Sequence, residues 1–199
     1  MHARLFDVLH DAADDHRAAV ADGIDVDLDR VVEEAIEMVM VQGKDQKSII
    51  VVAKEDWHTG IVGIVAGRLV EKFRRPAFVL SIDPETRTHK GSGRSIEKFN
   101  LAEAIHTNQG LFLSGGGHAM AAGCAFSEEN HHAVIGALED FAAERLGPED
   151  FEVVKRVDLE VEEGEINFAA VDELAKLAPF GVCNPEPRFV ARDVAFVGT

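Results

Sequence analysis

The sequence has 199 residues, 46% of them apolar, with 36 acidic against 20 basic side chains and a net charge of −16; a chain of this size buries one good core and the start of a second. No apolar run approaches the ~18 residues that a membrane-spanning helix needs, and Met1 to His10 carries Asp7 and no signal-like apolar stretch, so a helical membrane protein and a secreted one are set aside and a cytoplasmic setting is expected. The two cysteines, Cys124 and Cys183, lie far apart and outside any C-x-x-C spacing, which argues against a zinc knuckle or a disulfide framework and for two small buried hydrophobes.

Along the chain, Ala3 to Ala21 and then Leu28 to Val41 place apolar residues three and four apart. This spacing predicts two helices split by an Asp-rich turn around Gly23, the first a linker helix. Ser48 to Ala53 is a short β-branched run of the kind buried in parallel sheets. Trp57-His58-Thr59-Gly60 follows, then an apolar helix over Ile61 to Phe73, whose Gly63 and Gly67 suggest close packing on the sheet. Pro76 to Ile82 reads as a second strand and Lys90 to Ile96 as a short third one; helical spacing returns at Leu101 to His106. Ala121 to Phe126 reads as a strand, followed by a helix over Ser127 to Arg145 with Ser127 as N-cap and Glu128 and Glu129 in its first turn. Strands alternating with helices give an α/β fold that closes near Gly147-Pro148. Beyond it, strands are predicted over Phe151 to Val161 and Arg188 to Val197, with a helix over Phe168 to Leu177; this stretch is short for a complete second domain. The expected organisation is a helical lead-in over 1–44, an α/β domain over 45–147 and an incomplete β-rich segment over 148–199.

Two glycine-rich segments carry the candidate chemistry. Gly91-Ser92-Gly93-Arg94-Ser95 offers hydroxyls, residues small enough for backbone N–H groups to approach a ligand, and a guanidinium able to fork onto an anion. It fits a phosphate site and equally a tight turn with solvent-facing polar residues. Ser114-Gly115-Gly116-Gly117-His118-Ala119 breaks all periodicity and ends in a side chain able to donate a hydrogen bond or carry charge near neutral pH. By itself His118 reads as a structural histidine, and its glycine neighbours favour a ligand contact. Neither segment is a Walker A loop or a dinucleotide fingerprint, because no G-K-[ST] follows and the glycine spacing is wrong.

The negative total speaks against a polyanionic partner, but the acid gathers in Asp11 to Asp29 and Glu149 to Glu173. Between them, Arg68 to Lys98 holds Arg68, Lys72, Arg74, Arg75, Arg87, Lys90, Arg94 and Lys98 against four acids. An acidic, solubilising surface accounts for the total and leaves the basic middle to be explained.

Gly91-Ser92-Gly93-Arg94-Ser95-Ile96, the helix start Phe99-Asn100-Leu101, and Gly115-Gly116-Gly117-His118-Ala119-Met120-Ala121-Ala122-Gly123 resemble the paired motifs of DHHA1 domains in DHH-family phosphoesterases. The segment from Trp57 to Ala66, together with Leu177-Ala178-Pro179-Phe180-Gly181 and Asn184-Pro185-Glu186-Pro187, resembles the RecJ family of 5′→3′ single-strand-specific DNA exonucleases, in which an OB-fold follows DHHA1. The resemblance implies a DHHA1-type mixed sheet over 45–147 and the start of an OB-fold over 148–199. It implies that a preceding DHH domain holds two Mn²⁺ or Mg²⁺ ions and faces DHHA1 across a cleft that threads single-stranded DNA in repair and recombination. Carried over by motif, Ser92 and Arg94 would hold a terminal 5′-phosphate and His118 would stand near the scissile phosphate. Gly93, Ser95, Gly115, Gly116 and Gly117 would complete the substrate-binding set.

This chain departs from that pattern in lacking a recognisable Asp and His cluster of the kind that activates water for phosphodiester hydrolysis. Asp14-Asp15-His16 lies in a polar helical stretch without a preceding apolar strand, and His131-His132 reads as a solvated helix face. No metal is therefore expected in this chain, which would be inactive alone. The alternatives are an oligoribonuclease or cyclic-dinucleotide phosphodiesterase sharing both glycine motifs, and a non-catalytic single-strand-binding module.

Overall fold

The computed structural model describes residues 19–21, 24–152, 157–181 and 183–193, in a chain that divides into two compact units, 15–153 and 1–14 with 154–199. Most of the first predicted helix lies outside the described residues. At its described end the expectation fails: β1 (Ala19–Ala21) pairs antiparallel with β2 (Ile24–Val26), and the residues between them, Asp22-Gly23, are a pair favoured in hairpins.

Helix α1 (Leu28–Val41) begins where Asp27 accepts a hydrogen bond from the Arg30 amide at 3.0 Å, and it buries Val31, Ala35 and Val39 along one face. Strand β3 (Ile50–Glu55) leads through α2 (Val62–Phe73) into β4 (Ala77–Ile82), which lies parallel to it. The chain then reverses into β5 (Thr88–Arg94), passes through α3 (Leu101–Thr107), and forms a hairpin of β6 (Ser114–Gly117) and β7 (Ala121–Ser127) before α4 (His131–Ala143). The sheet order is β3-β4-β5-β7-β6, with every pair after the first antiparallel.

The period-2 pleat sends alternate residues of the β-branched strands to opposite faces, which is why Ile49 to Ala53 is apolar throughout. Ile49, Val51, Phe78 and Leu80 join Phe99, Leu101, Phe126, Leu138 and Phe141 in a core beneath α3 and α4. Ile50, Val52, Ala77 and Val79 pack instead with Val31, Val39, Trp57, Val65 and Leu69 beneath α1 and α2. Trp57 is 2% exposed, and its Nε1 donates to Glu34 at 3.2 Å. Lys54, at 2.6 Å from the same carboxylate, and then Trp57 hold Glu34 below the usual carboxylate range.

Several sequence expectations are corrected. Ser114 to Gly117, expected to break the pattern, is a strand, and the third strand expected over Lys90 to Ile96 runs from Thr88 to Arg94. Ser127 ends β7 and precedes a 3₁₀ turn (Glu128–Asn130), so α4 starts at His131 without a side-chain cap. Cys124 is buried, its thiol pushed up to about 12 by that burial, whereas Cys183 is exposed. Gly67 faces open space and needs no close packing, unlike Gly63.

In the second unit, β8 (Leu159–Glu160) pairs in parallel with β9 (Phe189–Val190), and α5 (Phe168–Ala175) is capped by Asn167. The strand predicted from Phe151 starts later, because Phe151 closes a 3₁₀ turn (Pro148–Phe151); residues 153–156 and 194–199 lie outside the described part. Among the described residues no helix is long and apolar enough to cross a membrane.

Candidate nucleic-acid interface

The two glycine motifs flank β7 from either side. The register gives Ser92↔Gly123↔Gly116 across three strands and Gly91↔Cys124↔Gly115 beside it. At the end of the sheet Arg94 pairs with Ala121, whose carbonyl accepts the His118 amide at 2.8 Å. Ser92 and Arg94 lie on the face of α1 and α2, since their partners on β4 are Val79 and Ala77 of that core. On this face the helices stop short of β7 and β6. A methyl group on Gly116 would meet nothing within 4 Å, and one on Gly123 only the Gly91 carbonyl at 3.6 Å. The result is a strip of bare backbone with Ser92 and Arg94 along one margin and the exposed His118 near its end.

The other motif glycines serve the fold. A methyl on Gly93 would lie 2.6 Å from the Phe78 ring and one on Gly115 2.7 Å from Ile105. Gly117 holds φ +146°, a conformation that disfavours any side chain. Ser95 is also a structural residue: its buried hydroxyl donates to the Phe99 carbonyl at 2.6 Å and its amide to Met120 at 3.0 Å. It therefore drops out of the ligand-facing set.

Arg94 makes one side-chain hydrogen bond, from Nη1 to the Gly93 carbonyl at 2.9 Å, and among the described residues no carboxylate pairs with it. Its guanidinium lies against Gly63, in the first turn of α2. That helix start has no side-chain cap, unlike α1, α3 and α5, where Asp27, Asn100 and Asn167 fill the role. Helix dipole and guanidinium thus turn positive potential toward the same margin of the strip.

The basic middle resolves into separate groups. Arg87 bridges Glu55 and Glu128, Arg68 pairs with Glu71, and Arg75 is held by the Lys47 and Phe73 carbonyls over the Phe151 ring. Lys72 and Arg74 stand at the far end of α2, roughly 15 Å from its first turn. Only Lys90 and Arg94 of the segment lie on the open face of β5, about 13 Å apart by strand geometry.

Sequence reading missed a cleft of about 480 Å³ at the carboxyl ends of the parallel pair β3 and β4, lined by His58, Thr59, Ser81, Thr86, Thr88 and Lys90 among others. Such crevices are common ligand positions in α/β sheets. Thr88, Lys90, Ser92 and Arg94 alternate along β5, so the cleft and the strip share one strand; that shared face is the signal the sequence offered.

His131 is not on a solvated face. Its Nδ1 lies 3.0 Å from Nε2 of His89, which is 1% exposed and stacks on Phe126. Burial lowers the pKa of each, helped by the charge of His131 in the case of His89 and of His132 in the case of His131. Among the described residues no group of three or more His, Cys, Asp or Glu is placed to hold a metal, and Asp14-Asp15-His16 lies outside them.

The DHHA1 domain model matches residues 45–144, and the RecJ OB domain model matches 157–199. The single-stranded-DNA-specific exonuclease RecJ of Bacillus subtilis is 43% identical over 164 residues, covering 82% of this chain and 21% of the relative. RecJ of Thermus thermophilus is 33% identical over 162 residues, covering 81% of this chain and 23% of the relative. Crystal structures of the T. thermophilus protein with Mg²⁺ and with Mn²⁺ superpose with a TM-score of 0.64 each, at 32% and 34% identity. They cover 80% and 81% of this chain and 24% of theirs. The chain spans about a fifth to a quarter of the length of these relatives.

Proposed function

The chain belongs to the DHHA1 domain family, and from that premise we propose that it is the strand-gripping part of a RecJ-like 5′→3′ exonuclease acting on single-stranded DNA. The carrying observation is the bare strip at Gly116 and Gly123 beside an Arg94 that no described carboxylate pairs with. In this reading residues 45–147 are the DHHA1 domain, preceded by a lead-in over 1–44 and followed from 148 by OB-fold sequence.

Glycine in a strand interior weakens the strand, and where neighbours do not require it, close approach of a ligand is its usual reason. A sugar-phosphate backbone laid over Gly116 and Gly123 reaches main-chain amides that a side chain would shield. Ser92 and Arg94 then fix the terminal 5′-phosphate: one donates a hydroxyl, and the other a forked, charge-assisted pair of hydrogen bonds. Holding the end in one place sets which phosphodiester faces His118, and orientation of this kind is a large part of catalysis. The Mn²⁺ or Mg²⁺ that activates water belongs, in this proposal, to a DHH domain that is the chain's structural partner, so the chain alone releases no nucleotides. Similarity to a RecJ OB domain over 157–199 favours this reading over an oligoribonuclease or cyclic-dinucleotide phosphodiesterase.

The test is a titration of 5′-phosphorylated and 5′-hydroxyl single strands against the wild type and Arg94→Ala. Loss of a desolvated guanidinium that pairs with a phosphate costs about 2–5 kcal/mol, and it should fall on the phosphorylated ends. An equal loss on both ends would remove the end-recognition role. Steady, chelator-sensitive release of mononucleotides by the isolated chain would contradict the division of labour.

A further inference from the structure

Gly63 occupies the first turn of α2, where its backbone has an ordinary helical conformation that any residue adopts. Glycine is disfavoured in helices by its backbone entropy, so its presence needs a spatial reason. The three atoms nearest to a methyl group on Gly63 all belong to the proposed phosphate grip: Arg94 Nη2 at 3.0 Å, Arg94 Cζ at 3.5 Å and Ser92 Cβ at 3.5 Å. One turn later in the same helix, Gly67 meets nothing within 4 Å. The crowded atom at Gly63 is the far end of a flexible side chain. A methyl there displaces the guanidinium by a few tenths of an ångström or more and leaves the backbone in place.

We infer that Gly63 is a positioning residue for Arg94: it keeps the guanidinium seated against the first turn of α2, so that guanidinium, Ser92 hydroxyl and helix start converge on one anion. Through Arg94 it sets how well a 5′-phosphorylated end is told from a 5′-hydroxyl one. The inference rests on the terminal-phosphate reading above. Misplacement by an ångström costs up to about 100-fold where geometry is critical, so a shift of a few tenths in Gly63→Ala should reduce the ratio of the two affinities by roughly 3- to 10-fold. Its melting temperature should stay at or above that of the wild type, because alanine is the better helix former.

The experiment measures both affinities and the melting temperature for the wild type, Gly63→Ala, Gly67→Ala, Arg94→Ala and the Gly63→Ala/Arg94→Ala double variant. Gly67→Ala should melt higher with its end preference intact. In the Arg94→Ala background, Gly63→Ala should change the ratio no further, since its target is gone. A wild-type ratio in Gly63→Ala, with the ratio lost in Arg94→Ala, would overturn this inference and leave the terminal-phosphate reading standing. Additive losses in the double variant, or a lower melting temperature for Gly63→Ala, would make Gly63 an independent or a packing residue and overturn it as well. An unchanged ratio in Arg94→Ala would remove both.

Discussion

On the side of the sheet that carries α3 and α4, Gly93 lies under the Phe78 ring and Gly115 under Ile105; on the other side Gly116 and Gly123, in the adjoining strands, face open space or a distant carbonyl. The residue type is the same and the reason for it differs. Glycine on the covered face makes room for the protein's own side chains, whereas on the bare face it makes room for something the chain does not contain. Only the first kind should matter to folding.

The largest effect that sharpens this contrast is Gly93→Ala. A methyl 2.6 Å from the Phe78 ring forces repacking in a closed core, at a cost of about 1–3 kcal/mol, to be read from denaturant midpoints. A stability unchanged from the wild type would break the distinction between the faces. Next comes acid sensitivity of the covered side. The pKa values of His89 and His131 lie below the ordinary range, chiefly because of burial. The unfolded chain therefore binds protons first as pH falls through about 6.5. Stability is complete above that pH and declines below it, by at most about 1.4 kcal/mol per pH unit per histidine. Replacement of His89 by Phe should flatten that decline in pH-dependent melting.

On the bare face, Lys90→Ala should lower the salt dependence of single-strand binding by about 0.7 in log–log slope for one lost phosphate contact. It should leave the 5′-end preference unchanged, and Lys72→Ala, at the far end of α2, should alter neither. The smallest effect on folding belongs to Gly116→Ala, within about 0.5 kcal/mol of the wild type, with weaker strand binding as its phenotype. Loss of stability there, with binding intact, would assign Gly116 to the fold.

Much of the α/β domain was legible because its signals are local and strong. The β-branched run of β3, the apolar β4, the three-and-four spacing of α1 and the apolar run of α2 identify themselves. β6 was not legible: Ser-Gly-Gly-Gly has no strand propensity, and it is a strand because β7 supplies the pairing. His131 looked solvated for a similar reason, since its partner is 42 residues away on β5. The motif residues were readable as a group, but the pleat and the neighbours that separate Gly116 from Gly93, or occupy Ser95, belong to the tertiary structure. The cleft at β3 and β4 is assembled from two separate stretches of chain, 56–59 and 81–90, and has no contiguous sequence signature.

Trp57 is the only tryptophan in a sequence without tyrosine, and it is buried under α1 with its indole tied to Glu34. Ultraviolet emission from the chain excited at 295 nm therefore comes from one fluorophore, five residues ahead of the start of α2. Excited-state indole responds to nearby charge and to water entry, so emission wavelength and quenching by iodide report on the seam between α1 and α2 without any label. An anion seated at Arg94 and opening of that seam would leave different optical signatures, the first a small shift with quencher access unchanged, the second a red shift with access gained.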